Sequence, residues 1–334
     1  MTGGVPDRVL ITSRELQGHG AGAGLASRVH ALLEQQRKSW EMLRTGYDSL
    51  RSVQTRDFQL DGVSVTVQYN PGRMTSSSAR VDEHSIRNRK CFLCPAHLPQ
   101  QQRGILYEER WLILCNPFPI FPEHFTVVHV DHTPQRILGS FEAMLRLSRD
   151  LAEGYTVFYN GPRCGASAPD HMHFQAGSRR FMPLESQYAV LRQARGKEAF
   201  RGPGVRVVGV GEFLRPFIAM EGEDAGRILD AFQRLAAALA ANGDEAEEPM
   251  MNILAFYEEG WRVLLFPRRK HRPSFYDEEG ERKILVSPAA VDLAGVCILP
   301  RDEDFRKIRL QDLETMFREV CVSPADIARL LTAW

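Results

Sequence analysis

The segment His171-Met172-His173-Phe174-Gln175 spaces two imidazoles and an amide at alternate positions. Strand side chains alternate with period two, so in a strand these three form one polar row. Solvent-facing strand residues would produce the same pattern, so the flanking sequence matters. Asn160-Gly161-Pro162-Arg163 and Gly165-Ala166-Ser167 lie just upstream. They form a loop of small residues whose backbone N–H groups can approach an anion closely. A second set of donors is more scattered. Cys91 and Cys94 make a Cys-x-x-Cys pair, which alone would equally fit a redox couple. His132 sits at the end of an apolar strand-like run, and with His171 it completes the donor set of a tetrahedral zinc site. Four protein ligands leave no open position, so such an ion would be structural and would pin the strand that carries His173. Positive charge for a phosphoryl group is available from Arg163 and from the run Arg268-Arg269-Lys270-His271-Arg272. Arg268 and Lys270 are the members of that run expected to reach an acceptor phosphate. Otherwise the run is a solvated basic turn.

These residues require elements to hold them. From Leu25 to about Val53, Val29, Leu32, Leu33, Trp40, Leu43, Tyr47 and Leu50 recur at helical spacing and predict one long amphipathic helix. Residues 58–69 alternate around Asp61-Gly62, a strong hairpin signal, and Asn70-Pro71-Gly72 ends it. The middle third reads as strands at Trp111 to Cys115 and Phe125 to Val130. A helix capped by Thr133, with Pro134 in its first turn, follows, and then strands at Tyr155 to Asn160 and His171 to Ala176. The last third has a strand near Val205 to Val210 and a helix from about Glu223 to Ala241. An acidic loop from Gly243 to Pro249 leads to a hairpin of Met251 to Tyr257 with Trp261 to Phe266. A helix followed by a hairpin in both halves suggests a duplicated α+β unit. The glycines between Gly18 and Gly24 follow no strand and precede no Lys-Ser/Thr, so they are not a phosphate loop. Residues 1–24 are expected to be a flexible leader.

With 334 residues and 43% hydrophobic content, the chain is globular. Lys plus Arg equals Asp plus Glu at 42 each, so no net field draws in nucleic acid or an anionic membrane. No run approaches the roughly 20 apolar residues of a membrane span. Six cysteines are too few for a disulfide scaffold of this size, which suggests reduced thiols and a cytoplasmic protein. Cys115, Cys164, Cys297 and Cys321 read as packing residues.

This set of residues resembles the histidine-triad superfamily. The branch is that of galactose-1-phosphate uridylyltransferases, GDP-hexose phosphorylases and dinucleoside polyphosphate phosphorylases. Glu123 to His132 is similar to the strand that ends in a metal-binding histidine. His171 to Ala176 followed by Met182-Pro183-Leu184-Glu185 looks most like the GDP-hexose phosphorylases, and Asn116-Pro117-Phe118-Pro119 matches the segment that holds base and ribose in the uridylyltransferases. The match covers residues 88 to 186, and is weak thereafter. Ser167 departs from the pattern, lying four residues before His171 where the uridylyltransferases place a serine three before. The resemblance implies an α+β fold with an antiparallel sheet, a catalytic half over 25–186 and a degenerate half over 187–334. It makes His171 a metal ligand and His173 a nucleophile on an α-phosphorus. Gln175 stands where triad hydrolases have a third histidine. An amide cannot protonate a leaving group, and such acid catalysis is worth about 10²–10⁴-fold, so the expected leaving groups are stable anions. Asn116, Phe118, Asn160, Gly161, Arg163 and Ser167 are expected at the nucleotide. The implied partners are a nucleotide or nucleotide sugar, phosphate or a sugar phosphate, and a second copy of the chain in a homodimer. The alternatives are a hydrolase of the same nucleotides and a nucleotide-binding protein that does not turn over.

Overall fold

The computed structural model describes residues 4–74, 83–241 and 247–334. Most of the strands belong to one ten-stranded sheet, in the order β3-β4-β5-β7-β6-β11-β12-β10-β9-β8. Its first half comprises β3 (Gly104–Tyr107), β4 (Trp111–Cys115), β5 (His124–His129), β6 (Tyr155–Asn160) and β7 (His173–Ser178). Its second comprises β8 (Lys197–Gly202), β9 (Val205–Val210), β10 (Phe217–Gly222), β11 (Met251–Tyr257) and β12 (Trp261–Pro267). Each half is a three-stranded meander, a helix, then two further strands, and the two orders mirror each other across the antiparallel β6–β11 seam. The fold is α+β with two halves of one topology. The sheet runs unbroken past residue 187.

The equivalent helices Phe141–Asp150 and Ala225–Ala240 lie side by side on one face, where the rings of Phe141 and Phe232 stack with centroids 3.8 Å apart. The other face carries a small sheet of β1 (Gln54–Leu60), β2 (Val63–Tyr69) and β13 (Val296–Leu299), together with the C-terminal helices Asp302–Lys307 and Leu310–Val320. The β1–β2 turn is the expected one: Asp61 and Gly62 take φ 56° and 78°, the left-handed pair that a tight two-residue hairpin demands. β13 pairs in parallel with β2, so the C-terminal segment buttresses the N-terminal hairpin.

Several local expectations are corrected. The helical stretch after Leu25 is two helices, Leu25–Ser39 and Glu41–Ser49, broken at the extended and buried Trp40. The break lets Val29, Leu32 and Leu33 in one piece and Leu43 and Tyr47 in the other each face the core. Residues 4–24 contain a short helix, started by a capping box between Thr12 and Glu15, and Val9 and Leu16 are buried. Thr133 caps no helix, for the helix begins at Phe141. The Thr133 carbonyl instead accepts from the Met172 N–H at 2.7 Å, which ties residues 133–140 to the start of β7. β7 itself begins at His173, so His171 lies before the strand and is not part of its polar row. Of the acidic loop, residues 243–246 lie outside the described residues. Glu247 pairs with Arg163, and Glu248 is buried.

Candidate active site

Alternation along the strands sorts the chemistry to one face. Phe174, Ala176, Tyr159, Phe125 and Val127 point into the helix-covered core. Their alternating neighbours His173, Gln175, Asn160, Phe158 and Thr126 open onto a cavity of about 630 Å³ on the opposite face. The cavity lies between the first half's strands, the β13 region and the segment around Phe92, Leu93 and Leu98.

His173 is buried at its wall. Its Nδ1 lies 2.8 Å from the His171 carbonyl, the geometry of an Nδ1–H donor, which leaves the lone pair on Nε2. Burial pulls its pKa down to about 4, so the ring is neutral at pH 7. Gln135 fixes its backbone: the amide oxygen accepts from the His173 N–H at 2.8 Å, and Nε2 donates to the carbonyls of His173 and Asn160 at 3.0 Å each. Two residues on, the Gln175 Oε1 lies 2.9 Å from Nε2 of the buried His124.

Asn116, Phe118 and Ser167 also line the cavity. Asn116 shapes its own turn, accepting from the Phe118 N–H at 2.9 Å. The helix Glu41–Ser49 presses against this turn so closely that a Cβ on Gly46 would sit 2.0 Å from the Pro117 carbonyl oxygen. Only glycine permits that approach.

The expected cations lie elsewhere. Arg163 pairs with Glu247 and donates to the Glu248 carbonyl. Buried Arg268 donates to the carbonyls of Val320, Pro288, Lys270 and His271 and to the Asn252 side chain, which reaches Asn160 across the seam. Lys270 pairs with Glu319 at the surface. Gly161 donates its N–H to Met251. None of the four borders the cavity. Among the described residues two arginines do, and motif reading passed over both. Arg73 follows a turn read only as a stop signal, and donates to the Phe118 carbonyl at 2.8 Å. Arg89 pairs with Asp170 and lies over the Phe92 ring, its carbon 5.0 Å from the centroid. Their only sequence signal was proximity to the hairpin end and to Cys91.

Beside the cavity, Cys91, Cys94, His132 and His171 bring one donor atom each to within 4.8 Å of one another. Cys94 Sγ lies 3.2 Å from His132 Nδ1, and Cys91 Sγ lies 3.4 Å from His171 Nδ1. His171 Nε2 is 2.7 Å from the His129 carbonyl, so its proton is held there and Nδ1 is left free to ligate. Two thiols and two correctly turned imidazoles fit a tetrahedral zinc ion. Burial and the adjacent Cys91 push the Cys94 thiol up to about 12, a cost that a divalent cation would reverse.

The family model that matches, over residues 32–178, describes a domain of unknown function, DUF4922. A galactose-1-phosphate uridylyltransferase of Halalkalibacterium halodurans is 26% identical over 181 residues, 48% of this chain and 33% of that protein. The chain thus aligns with about a third of that relative. The fold extends further. Yeast Ap4A phosphorylase Apa2 in complex with AMP superposes with a TM-score of 0.51 over 87% of this chain and 97% of that one, at 14% identity. Its complex with Ap4A gives 0.52 over 85% and 97%, at 13% identity. The chain shares the fold of this Ap4A phosphorylase. Within that fold the DUF4922 match spans the Cys₂His₂ cluster, His173 and Gln175. Among the described residues no helix is long and apolar enough to cross a membrane.

Proposed function

We propose that this chain is a nucleotidyltransferase of the phosphorylase type. It would cleave a dinucleoside polyphosphate or a nucleoside diphosphate sugar through a nucleotidylated His173. The observation that carries this reading is the tautomer of His173: a buried, neutral ring with Nδ1 anchored to the His171 carbonyl and Nε2 free at a cavity wall beside Gln175. Nε2 attacks the α-phosphorus, a P–N bond forms, and the P–O bond to the leaving phosphate breaks with the electron pair going to that oxygen. An oxygen of inorganic phosphate or a sugar phosphate then attacks the same phosphorus, and the P–N pair returns to Nε2. One hard displacement becomes two easier ones. Arg73 and Arg89 supply the positive charge for the phosphates, the role the sequence assigned to Arg163, Arg268 and Lys270. Asn116, Phe118, Asn160 and Ser167 shape the nucleoside side. Zinc held by Cys91, Cys94, His132 and His171 would be structural, fixing the His171 backbone whose carbonyl sets the His173 tautomer. The assembly proposed is a homodimer.

Intact-mass measurement after incubation with Ap4A, UDP-galactose or a GDP-hexose tests the chemistry. The expected result is one added nucleoside monophosphate that disappears when phosphate is supplied. Loss of the adduct in buffer alone would mark a hydrolase. No adduct with any nucleotide, with His173→Ala matching wild-type turnover, would overturn the covalent route. For the metal, elemental analysis should find about one zinc per chain, falling below half in Cys91→Ser.

A further inference from the structure

We propose that His124 is a positioning residue that fixes which end of the Gln175 amide meets the bound nucleotide. His124 is fully buried, and its ring lies against Phe121 and Phe158, at centroid distances of 5.1 and 6.0 Å. Its Nδ1 accepts the Ile120 N–H at 3.2 Å. A neutral imidazole that accepts at Nδ1 carries its proton at Nε2, so the 2.9 Å contact there is a donation to the Gln175 Oε1. With its carbonyl oxygen so engaged, the Gln175 amide turns its NH₂ towards the cavity, where the α-phosphate would lie against His173. Amide orientation is settled by the hydrogen-bond network, and here the network admits one orientation.

The imidazole is prevented from titrating out of this role. Burial, and then the positive charge of Arg73, pull its pKa down to about 3. Its backbone is equally fixed. The Tyr47 hydroxyl accepts from the His124 N–H at 2.9 Å and lies 3.2 Å from its carbonyl, and the Asn116 N–H also donates to that carbonyl at 2.8 Å. Tyr47 belongs to the helix Glu41–Ser49, so this helix and the turn at Asn116 together hold the device. A flipped Gln175 would present a carbonyl oxygen to a phosphate oxygen, two acceptors facing each other. Locked as drawn, Gln175 donates to a non-bridging oxygen and takes up no proton. The acceptor must therefore arrive already as an oxyanion, which favours phosphate or a phosphate ester over water.

This role rests on the nucleotidyl-histidine reading, and a mutant cycle separates the two. His124→Phe keeps the ring packing and removes both side-chain hydrogen bonds. Nucleotidylation measured by single turnover at saturating Ap4A should slow about 10²-fold, the usual effect of losing one donor to a developing phosphoryl charge, with KM little changed. Gln175→Ala should lose as much, and the double variant no more than Gln175→Ala alone. His124→Gln, whose amide N–H can reach the same acceptor, should recover most of the rate. An internal ratio guards against a poorly folded variant: wild type should discriminate between the two α-phosphorothioate diastereomers of the substrate, and His124→Phe should not. Multiplicative losses, or unchanged diastereomer discrimination in His124→Phe, would overturn the role of His124 while leaving the histidine adduct standing. Absence of any adduct in wild type would overturn both.

Discussion

The two halves of the sheet share a strand order and differ in what the inner hairpin presents to the lower face. β7 offers His173 and Gln175 to an open cavity, and its His173 is neutral with Nδ1 held by the His171 carbonyl. At corresponding places β12 offers Leu264 and Phe266 to a filled core, against Phe217, β13 and the C-terminal helices. One topology thus lines an open cavity on one side of the seam and serves as a packing surface on the other. The difference lies in what covers each hairpin. Around β12 apolar helices close the face. Around β7 the cover is the segment that carries Cys91 and Cys94 and a turn held by glycine packing, which leave a void.

This contrast can be broken from either side. His173→Ala should abolish nucleotidylation and reduce turnover by at least about 10⁴-fold, with a melting temperature equal to or above wild type, since a buried polar ring is removed from a cavity wall. Rapid-quench assays and a thermal melt on one preparation check both parts. Phe266→Ala should do the reverse. It should cost about 3–5 kcal/mol in denaturant unfolding, while the folded fraction retains its rate of adduct formation.

The seam between the halves should show a pH signature. Glu248, just before β11, accepts from the Ile137 N–H at 2.6 Å and from the Tyr159 hydroxyl, and burial raises its carboxyl from an ordinary 4.5 to about 7. The folded state therefore holds this proton at pH values where the unfolded chain has released it. Stability from this group is full below about pH 4.5 and is lost as pH rises to about 7, by about 2–3 kcal/mol. In Glu248→Gln the amide can donate to Tyr159 while its oxygen accepts from Ile137. The difference in unfolding free energy between pH 5 and pH 8 should shrink by that amount relative to wild type. The smallest effect is expected at Arg163, where the ion pair with Glu247 is half exposed. Arg163→Ala should change stability by less than about 1 kcal/mol and leave KM for phosphate unchanged. A tenfold rise in KM would return Arg163 to the active site.

Much of this was legible because it is local or periodic. The Asp61-Gly62 hairpin, the β11–β12 hairpin and the strands around residues 111–130 follow from turn chemistry and alternation. The Cys₂His₂ set and His173 follow from side-chain chemistry that few other residues share. Arginines behaved otherwise. Four were named or passed over on position alone, and sequence has no means of knowing that Arg268 spends its guanidinium on backbone carbonyls while Arg73 faces a cavity. His124 was equally invisible, as one more histidine at a strand start, because its meaning depends on the Ile120 N–H on one side and Gln175 on the other.

The sequence by itself determined which atoms can do chemistry: two thiols and two imidazoles able to share a metal, an imidazole able to attack, and an amide unable to act as an acid. Only the tertiary structure decided which protons those atoms carry and which way they face. Tautomer, amide orientation and the destination of each arginine are set by hydrogen-bond partners brought from strands and turns far apart in the chain. The energy that fixes them belongs to the assembled contacts and to no residue alone.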